Sequence, residues 1–565
     1  MNKGFGMVAV LLAAVVLAIM ATTPPMPQGP QTPPTEFAVA RAMPDVVAIA
    51  REPHVTGTPE NAKVRAYIAE RMRVLGMDVS TSTGVVGERG TAKRNRWTGR
   101  NDPPATLTNV IGVLPGRNRA LPAVLLMSHH DTVWGSPGAA DDTAGVAVSL
   151  EVVRAIKVGG GAERDLIVLV TDAEELGLEG AKQFFTEHPL RSRVGAVINM
   201  EARGGGGRTT LFQTSGNNGN AVALFADVAR RPGGSSLAAY IYSVLPNDTD
   251  LTPVLAGPYT AYNFAFIGRS GLYHSPLATP ARLDQGAVQD MGAQVLELTH
   301  ALLSADAMPA PAPDAVFFDL FGRIMLTYPA WAGWAMLALA VGALGWTARG
   351  ERDLRALGGG AARMAALLLV ACGLYYVLNL LSGADGPTNY YDRLAAIPRL
   401  EAIAALAGTA AALLLFGGGS RSTAGKVGAA LPLLLIAVVA QAIAPTAAYF
   451  IVVPVMLAAL ALLSLTRSSG TASRLFAGAV ASAVLGYMLA LGHQVMQGVG
   501  PTMPMAAALP LALAVLGLLP VWHGMTARTA RLSSAILLVL AVSVALWVRL
   551  DPLAPSVAVY ADTKR

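Results

Sequence analysis

Residues 123–142 read AVLLMSHHDTVWGSPGAADD. The first five are continuously apolar, as in a strand covered on both faces. Two histidines and three aspartates then follow within fourteen residues, broken by Gly135, Pro137 and Gly138. Imidazole and carboxylate groups at the end of a strand can hold a metal ion. A polar loop with a chance His-His pair accounts for the same letters, so the surrounding chain has to decide.

Working outward, residues 107–114, 165–171 (DLIVLVT) and 194–200 (VGAVINM) also read as strands. Helical spacing of apolar residues appears at 61–75, 143–156, 178–185 and 218–229. The alternation predicts an α/β fold, a mostly parallel sheet flanked by helices. Ligands in such sheets collect at the carboxyl ends of the strands. His129 and Asp131 follow one predicted strand, Glu174 and Glu175 the next, and Glu201 a third. Three strand ends carrying acids and histidine are poorly explained as a solvated rim.

Composition limits the rest. Hydrophobic residues make up 53% of the 565 and charged residues 14%, against about 25% charged in soluble domains, so part of the chain belongs in lipid. The net charge of +6 is spread without a basic block, which argues against nucleic acid as a partner. The single cysteine, Cys372, lies in an apolar run. Disulfides, thiolate metal sites and a cysteine nucleophile in the polar half are excluded.

The predicted organisation is a signal anchor at 1–22, a Pro-rich linker at 23–35, the α/β domain at 36–307, a second linker at 308–327, a span-rich all-α membrane domain at 328–549 and a tail at 550–565. Eight apolar segments fall near 328–347, 364–381, 400–416, 427–444, 447–465, 475–492, 503–521 and 532–549. With the anchor's N-terminus inside, the inner loops hold Arg349, Arg352, Arg355 and Arg363, then Arg421 and Lys426, Arg467 and Arg474, and Arg528 and Arg531. The outer loops hold Arg393 and Arg399, then none. This asymmetry predicts nine spans with the α/β domain outside the cytoplasm. The spans carry few ionisable groups, Glu401, His493 and His523 lying near span ends, which weighs against a transporter.

If the strand ends bind metal, alternation places His129 and Asp131 on one side and His130 on the other. His129 then ligates while Asp131 orients its ring, and His130 is structural. Asp141 supplies a carboxylate able to bridge two ions. Of Glu174 and Glu175, one binds metal and the other takes a proton. Glu201 and His274 complete a nitrogen and oxygen donor set that fits zinc, with cobalt or manganese also accommodated.

These residues carry a resemblance. His129-x-Asp131, Gly138-Ala-Ala-Asp141-Asp142, Ala173-Glu174-Glu175-Leu-Gly177 and Tyr273-His274 resemble the motifs of the M28 metallopeptidases of the aminopeptidase Y type. The anchor, domain and spans, with Asn199-Met-Glu201 and Asn247-Asp-Thr-Asp250, are similar to its endoplasmic-reticulum and vacuolar membrane branch. The resemblance covers about residues 105–300 by motif and the remainder by topology. It implies a zinc-dependent metallopeptidase, an aminopeptidase acting on peptide or protein substrates. It implies two zinc ions: His129 and Glu201 on one, Glu175 and His274 on the other, Asp141 bridging, Asp131 supporting His129 and Glu174 as general base. Asp248 falls where the family keeps an acid near the last histidine. Two departures are Ala140, where many relatives have an acid, and Glu201, where soluble relatives use Asp.

Rival readings are a one-zinc glutaminyl-cyclase-like enzyme, a binding module on an inactive peptidase fold, and a transporter or receptor with an accessory domain. Trp134, Tyr262, Tyr273 and Arg203 are candidate pocket residues. The expected compartment is a bacterial inner membrane with a periplasmic catalytic domain, the alternative being a vacuolar or endoplasmic-reticulum membrane with a lumenal one.

Overall fold

The computed structural model describes residues 3–386, 390–419 and 422–551. Arg421 and most of the expected tail lie outside these residues. The chain divides into two compact units, one comprising Thr23–Thr327 and the other the N-terminal helix with Tyr328 onward.

The first unit is built on seven strands: β1 (Asp78–Val85), β2 (Thr106–Leu114), β3 (Ala123–His129), β4 (Leu166–Thr171), β5 (Val194–Ala202), β6 (Gly206–Thr214) and β7 (Thr260–Gly268). Their order is β1-β2-β4-β3-β5-β7-β6. The four central strands β4, β3, β5 and β7 run parallel. The flanking pairs β1–β2, β2–β4 and β6–β7 are antiparallel.

The apolar run at 123–127 shows why this sheet needs two layers of cover. Val124 and Leu126 enter one core with residues of the helix Thr143–Val158, whereas Ala123, Leu125 and Met127 enter another with Phe184 and Phe185. Successive side chains of a strand point to opposite faces, so a continuous apolar run is buried on both. The helix Thr143–Val158 starts where the Asp142 carboxylate accepts from the Gly145 amide, satisfying an otherwise orphaned donor.

Both expected linkers differ from free connectors. Residues 23–35 are rich in proline, so they offer carbonyls but few N–H donors. Arginines of the domain take those carbonyls: Arg41 reaches Thr32 at 2.9 Å and Arg154 reaches Pro34 at 2.7 Å. The main chain of Gln28 also accepts from the Ala40 amide and donates to Gln289. The stretch 308–327 carries β8 (Ala315–Leu320) and most of β9 (Ile324–Pro329), which pair with each other. Phe317 on β8 is fully buried, which holds that strand to the domain.

In the second unit every predicted apolar segment falls on a helix. Among the described residues, six helices are long and apolar enough to cross a membrane: Leu354–Ala384, Ile397–Phe416, Thr423–Ile443, Tyr449–Arg467, Thr471–Val499 and Ala527–Leu550. The other three expected spans are shorter apolar helices, Gly6–Thr22, Ala332–Thr347 and Pro504–Leu518. At 1.5 Å rise per residue the last two are short of a hydrocarbon core of about 30 Å, whereas the N-terminal helix in full runs Lys3–Thr22, 20 residues, and matches it.

Candidate metal centre

His129 is the last residue of β3, Glu174 and Glu175 follow β4, Glu201 lies near the end of β5, and His274 follows β7. The parallel strands thus deliver their C-terminal ends to one place, as such sheets do. Asp141 arrives from the loop before Thr143–Val158. That loop turns at Gly138, where φ is +65° and an added Cβ would sit 2.5 Å from Thr132 Cγ2. Only glycine takes this conformation and this closeness without strain.

Asp141 sits between the two histidines. Its Oδ1 is 3.1 Å from His129 Nε2 and its Oδ2 is 3.2 Å from His274 Nε2. Glu201 Oε2 is 4.0 Å from His129 Nε2, and Glu175 Oε1 is 3.0 Å from His274 Nε2. Two groups able to hold a cation result, His129–Asp141–Glu201 and Asp141–Glu175–His274, sharing Asp141. A third, His129–Glu174–Glu175, overlaps both. His274 has φ of +52°, a left-handed backbone that costs a non-glycine residue energy and is tolerated mainly where a site requires it. Tyr273 stacks on its ring, with centroids 3.7 Å apart.

Asp131 and Asp142 hold the cluster from behind. His129 Nδ1 lies 2.9 Å from the Asp131 carbonyl and 3.5 Å from its carboxylate. This directs Nδ1–H away from the cluster and leaves Nε2 facing it. The Asp131 carboxylate also accepts from the amides of Glu174 (3.0 Å) and Glu175 (3.2 Å). One side chain therefore fixes both the imidazole and the turn carrying the two glutamates. Asp142 accepts from the His129 amide at 3.2 Å besides capping its helix. His130 points elsewhere, between Asn61 and the Thr108 carbonyl.

The electrostatics are those of crowded carboxylates. Burial, with the charges of Glu175, Asp250 and Asp141, pushes Glu174 well above the usual carboxylate range despite His129. Burial and Glu174 do the same to Glu201. Asp141 goes the other way: burial opposes its charge, but hydrogen bonds from His129 and His274 hold it low. Burial lowers His54, beside this cluster, to about 4, so it is neutral. A divalent cation placed among these groups offsets the repulsion and restores the charged forms. The donor set, nitrogen and oxygen without sulfur, fits a borderline or hard divalent ion.

Two residues near the centre were given no role by sequence reasoning. Asp250 is buried and accepts from Thr171 Oγ1 at the end of β4. Burial raises it to about 6, and its charge acts on Glu174. Asp248, the acid expected near the last histidine, is exposed and accepts from Thr252 Oγ1 at 3.2 Å. Thr249, buried between them, bonds to Asn263 and turns the chain so that the second aspartate faces inward. Tyr242 is the other. Burial and the nearby Glu201 raise its phenol, so it remains a neutral donor. Tyr262, a candidate pocket residue, is instead in the core, its hydroxyl bonded to the Ala221 carbonyl. The spacing of YIYSVLPNDTD gave no hint of which tyrosine or aspartate would turn inward.

A mixed α/β sheet with overlapping imidazole–carboxylate triads at its strand ends defines the class: an α/β protein with a candidate binuclear cation site. Residues 109–299 match the family model Peptidase family M28, and the chain therefore carries an M28 peptidase domain. Endoplasmic reticulum metallopeptidase 1 of Homo sapiens is 31% identical over 294 residues, 50% of this chain and 32% of that protein. The vacuolar membrane protease of Yarrowia lipolytica is 29% identical over 336 residues, 57% of this chain and 33% of that protein. The chain thus spans about a third of the length of these curated relatives. Among solved structures, an aminopeptidase from Aneurinibacillus sp. strain AM-1 aligns with a TM-score of 0.39 at 16% identity, over 50% of this chain and 98% of that one. A glutaminyl cyclase of Fimbriiglobus ruber aligns with a TM-score of 0.37 at 17% identity, over 49% and 98%.

Proposed function

We propose that this protein is a membrane-bound, di-zinc metallopeptidase that removes N-terminal residues from peptides outside the cytoplasm. The observation that carries the reading is the pair of overlapping triads sharing Asp141, set in an M28 domain. His129 and Glu201 serve one ion, Glu175 and His274 the other, and Asp141 both. A glutaminyl cyclase works with one zinc, so a second complete triad supports hydrolysis. Bound zinc supplies Lewis acidity and makes water acidic enough to act as a nucleophile at neutral pH.

The chain's own residues do the proton work. Glu174, raised by burial, takes a proton and passes it to the leaving amine. Asp131 positions its backbone, and Tyr242 offers a neutral O–H to charge developing on the carbonyl oxygen. Exopeptidase action is supported by charge balance. Asp131, Asp141, Glu174, Glu175, Glu201 and Asp250 outnumber the four positive charges of two zinc ions. The residual negative field favours a substrate with a free α-ammonium group beside the scissile bond. The loop charges support a position of the domain on the non-cytoplasmic side, and the relatives' names favour a vacuolar or endoplasmic-reticulum membrane.

The test is hydrolysis by the detergent-solubilised full chain of paired peptides with free and acetylated N-termini, with zinc added. Free peptides are expected to be cleaved from the N-terminus and acetylated ones spared. Internal cleavage of both at equal rates overturns the exopeptidase reading.

Metal removal has a pH signature. Glu174, Glu201 and Asp250 have folded pKa values above their unfolded ones. The metal-free fold therefore loses stability as pH rises above about 4, where these groups ionise in the unfolded chain first. His129, also raised, loses its contribution in the same direction. Zinc binds the deprotonated groups, so its stabilisation grows with pH. At hundredfold excess over Kd it is worth about 2.7 kcal/mol, or roughly 5–10 °C in Tm. Melting curves with zinc and with EDTA should separate by that much at pH 8 and converge near pH 5. An equal separation at both pH values removes the carboxylates from the site.

A further inference from the structure

The helical unit contains a cleft of about 520 Å³ between the helices Ile397–Phe416, Thr471–Val499 and Pro504–Leu518. Its walls are almost wholly apolar and include Ala405, Ala412, Leu489, Gly492, Leu511 and Leu518. It exists because facing positions are alanine or glycine: a Cβ added at Gly492 meets nothing within 4 Å. The lining runs along one helix from Glu401 to Gly417, about 24 Å at 1.5 Å per residue, most of a hydrocarbon core of about 30 Å.

One end of this apolar cleft is polar. Glu401 Oε1 is 2.9 Å from His493 Nδ1 and accepts from Gln497 Nε2 at 2.8 Å. Both contacts engage the same oxygen, and a carboxylate has about four acceptor sites. Ionisable groups within membrane helices are costly and mark sites of function. The loop charges put this end at the non-cytoplasmic interface, where a lipid headgroup lies.

Size selects the occupant. A transmembrane helix about 10 Å wide and 24 Å long fills roughly 1,900 Å³, several times the cleft. A single extended hydrocarbon chain fits both its length and its volume, and a small cation complements the carboxylate at its mouth. We propose that the cleft holds an acyl chain of a membrane lipid whose ammonium headgroup is received by Glu401. The site is independent of the peptidase centre.

The full chain is reconstituted in phosphatidylglycerol vesicles doped with a phosphatidylethanolamine carrying a photoactivatable diazirine on its acyl chain. Crosslinks are expected on the helices Ile397–Phe416 and Thr471–Val499, competed by unlabelled phosphatidylethanolamine. G492F fills the cleft and reduces these crosslinks to the level of other lipid-facing helices. G373F, at another helix position with open space, leaves them unchanged and controls for folding. E401Q keeps acyl-chain crosslinking but loses about tenfold of the preference for phosphatidylethanolamine over phosphatidylglycerol, the worth of one charge-assisted hydrogen bond. Crosslinks spread evenly over all lipid-facing helices, or unaffected by G492F, overturn the proposal. So does an E401Q variant with unaltered headgroup preference, or competition by a transmembrane peptide but not by lipid.

Discussion

Glu174→Gln is expected to lower kcat for peptide hydrolysis by about 10²–10⁴-fold, the usual contribution of a general base, with zinc content unchanged. Gln keeps the volume and acceptor oxygen of Glu but cannot take a proton at neutral pH. The backbone amide that anchors this residue to Asp131 Oδ1 at 3.0 Å is untouched, so the turn and its neighbour Glu175 stay in place. Glu174 belongs to only one of the three cation-holding groups, and Glu175 and His129 complete the others without it. Tyr242→Phe gives a contrast: losing one donor to the carbonyl oxygen costs about 10²–10³-fold at most and leaves the pH profile in place, whereas Glu174→Gln removes its acidic limb. The measurements are metal content by mass spectrometry and kcat at saturating peptide. A Glu174→Gln enzyme within tenfold of wild type removes the general-base assignment, and one that has lost zinc makes Glu174 a ligand.

The central sheet was legible because its strands carry the strongest periodic signal available. The runs at 123–127 and 166–170 are apolar at every position, which only a strand or helix buried on all sides requires, and their short length chose strand. The edge strand β1 (DVSTSTGV) is polar and exposed or half-buried along its whole length, so nothing in its composition separates it from a loop. The strand β6 begins Gly-Gly and reads as a turn for the same reason. At the centre, the residues that announce themselves are those placed by strand ends and known motifs: His129, Asp141, Glu174, Glu175, Glu201 and His274. Asp250 and Tyr242 were not legible because their inward direction depends on how the segment after Ser235 packs, and only the Thr171–Asp250 bond reveals which aspartate of Asp-Thr-Asp turns in. The 23–35 stretch failed for a related reason. Its prolines cannot pair with a sheet, yet its carbonyls suit arginines distant in sequence.

Asp141→Ala is the variant that most sharply separates two overlapping sites from two independent ones. Asp141 is the shared member of both triads, one carboxylate oxygen toward each histidine. Removing it leaves each ion two of its three protein groups. The loss of affinity should exceed the ~10–100-fold that follows loss of a supporting hydrogen-bond partner, and should fall on both ions together. Zinc per chain is expected to drop from two to near zero after dialysis, with peptide hydrolysis lost. Glu201→Ala, which touches only the triad containing His129, should retain one zinc. The fold itself should survive Asp141→Ala. Bonds from His129 and His274 stabilise its carboxylate in the metal-free fold, so in EDTA the variant should melt somewhat below the EDTA-treated parent. The zinc-dependent rise of roughly 5–10 °C should be absent. A variant that keeps one zinc shows that the triads are held separately, and the bridging role of Asp141 fails with it.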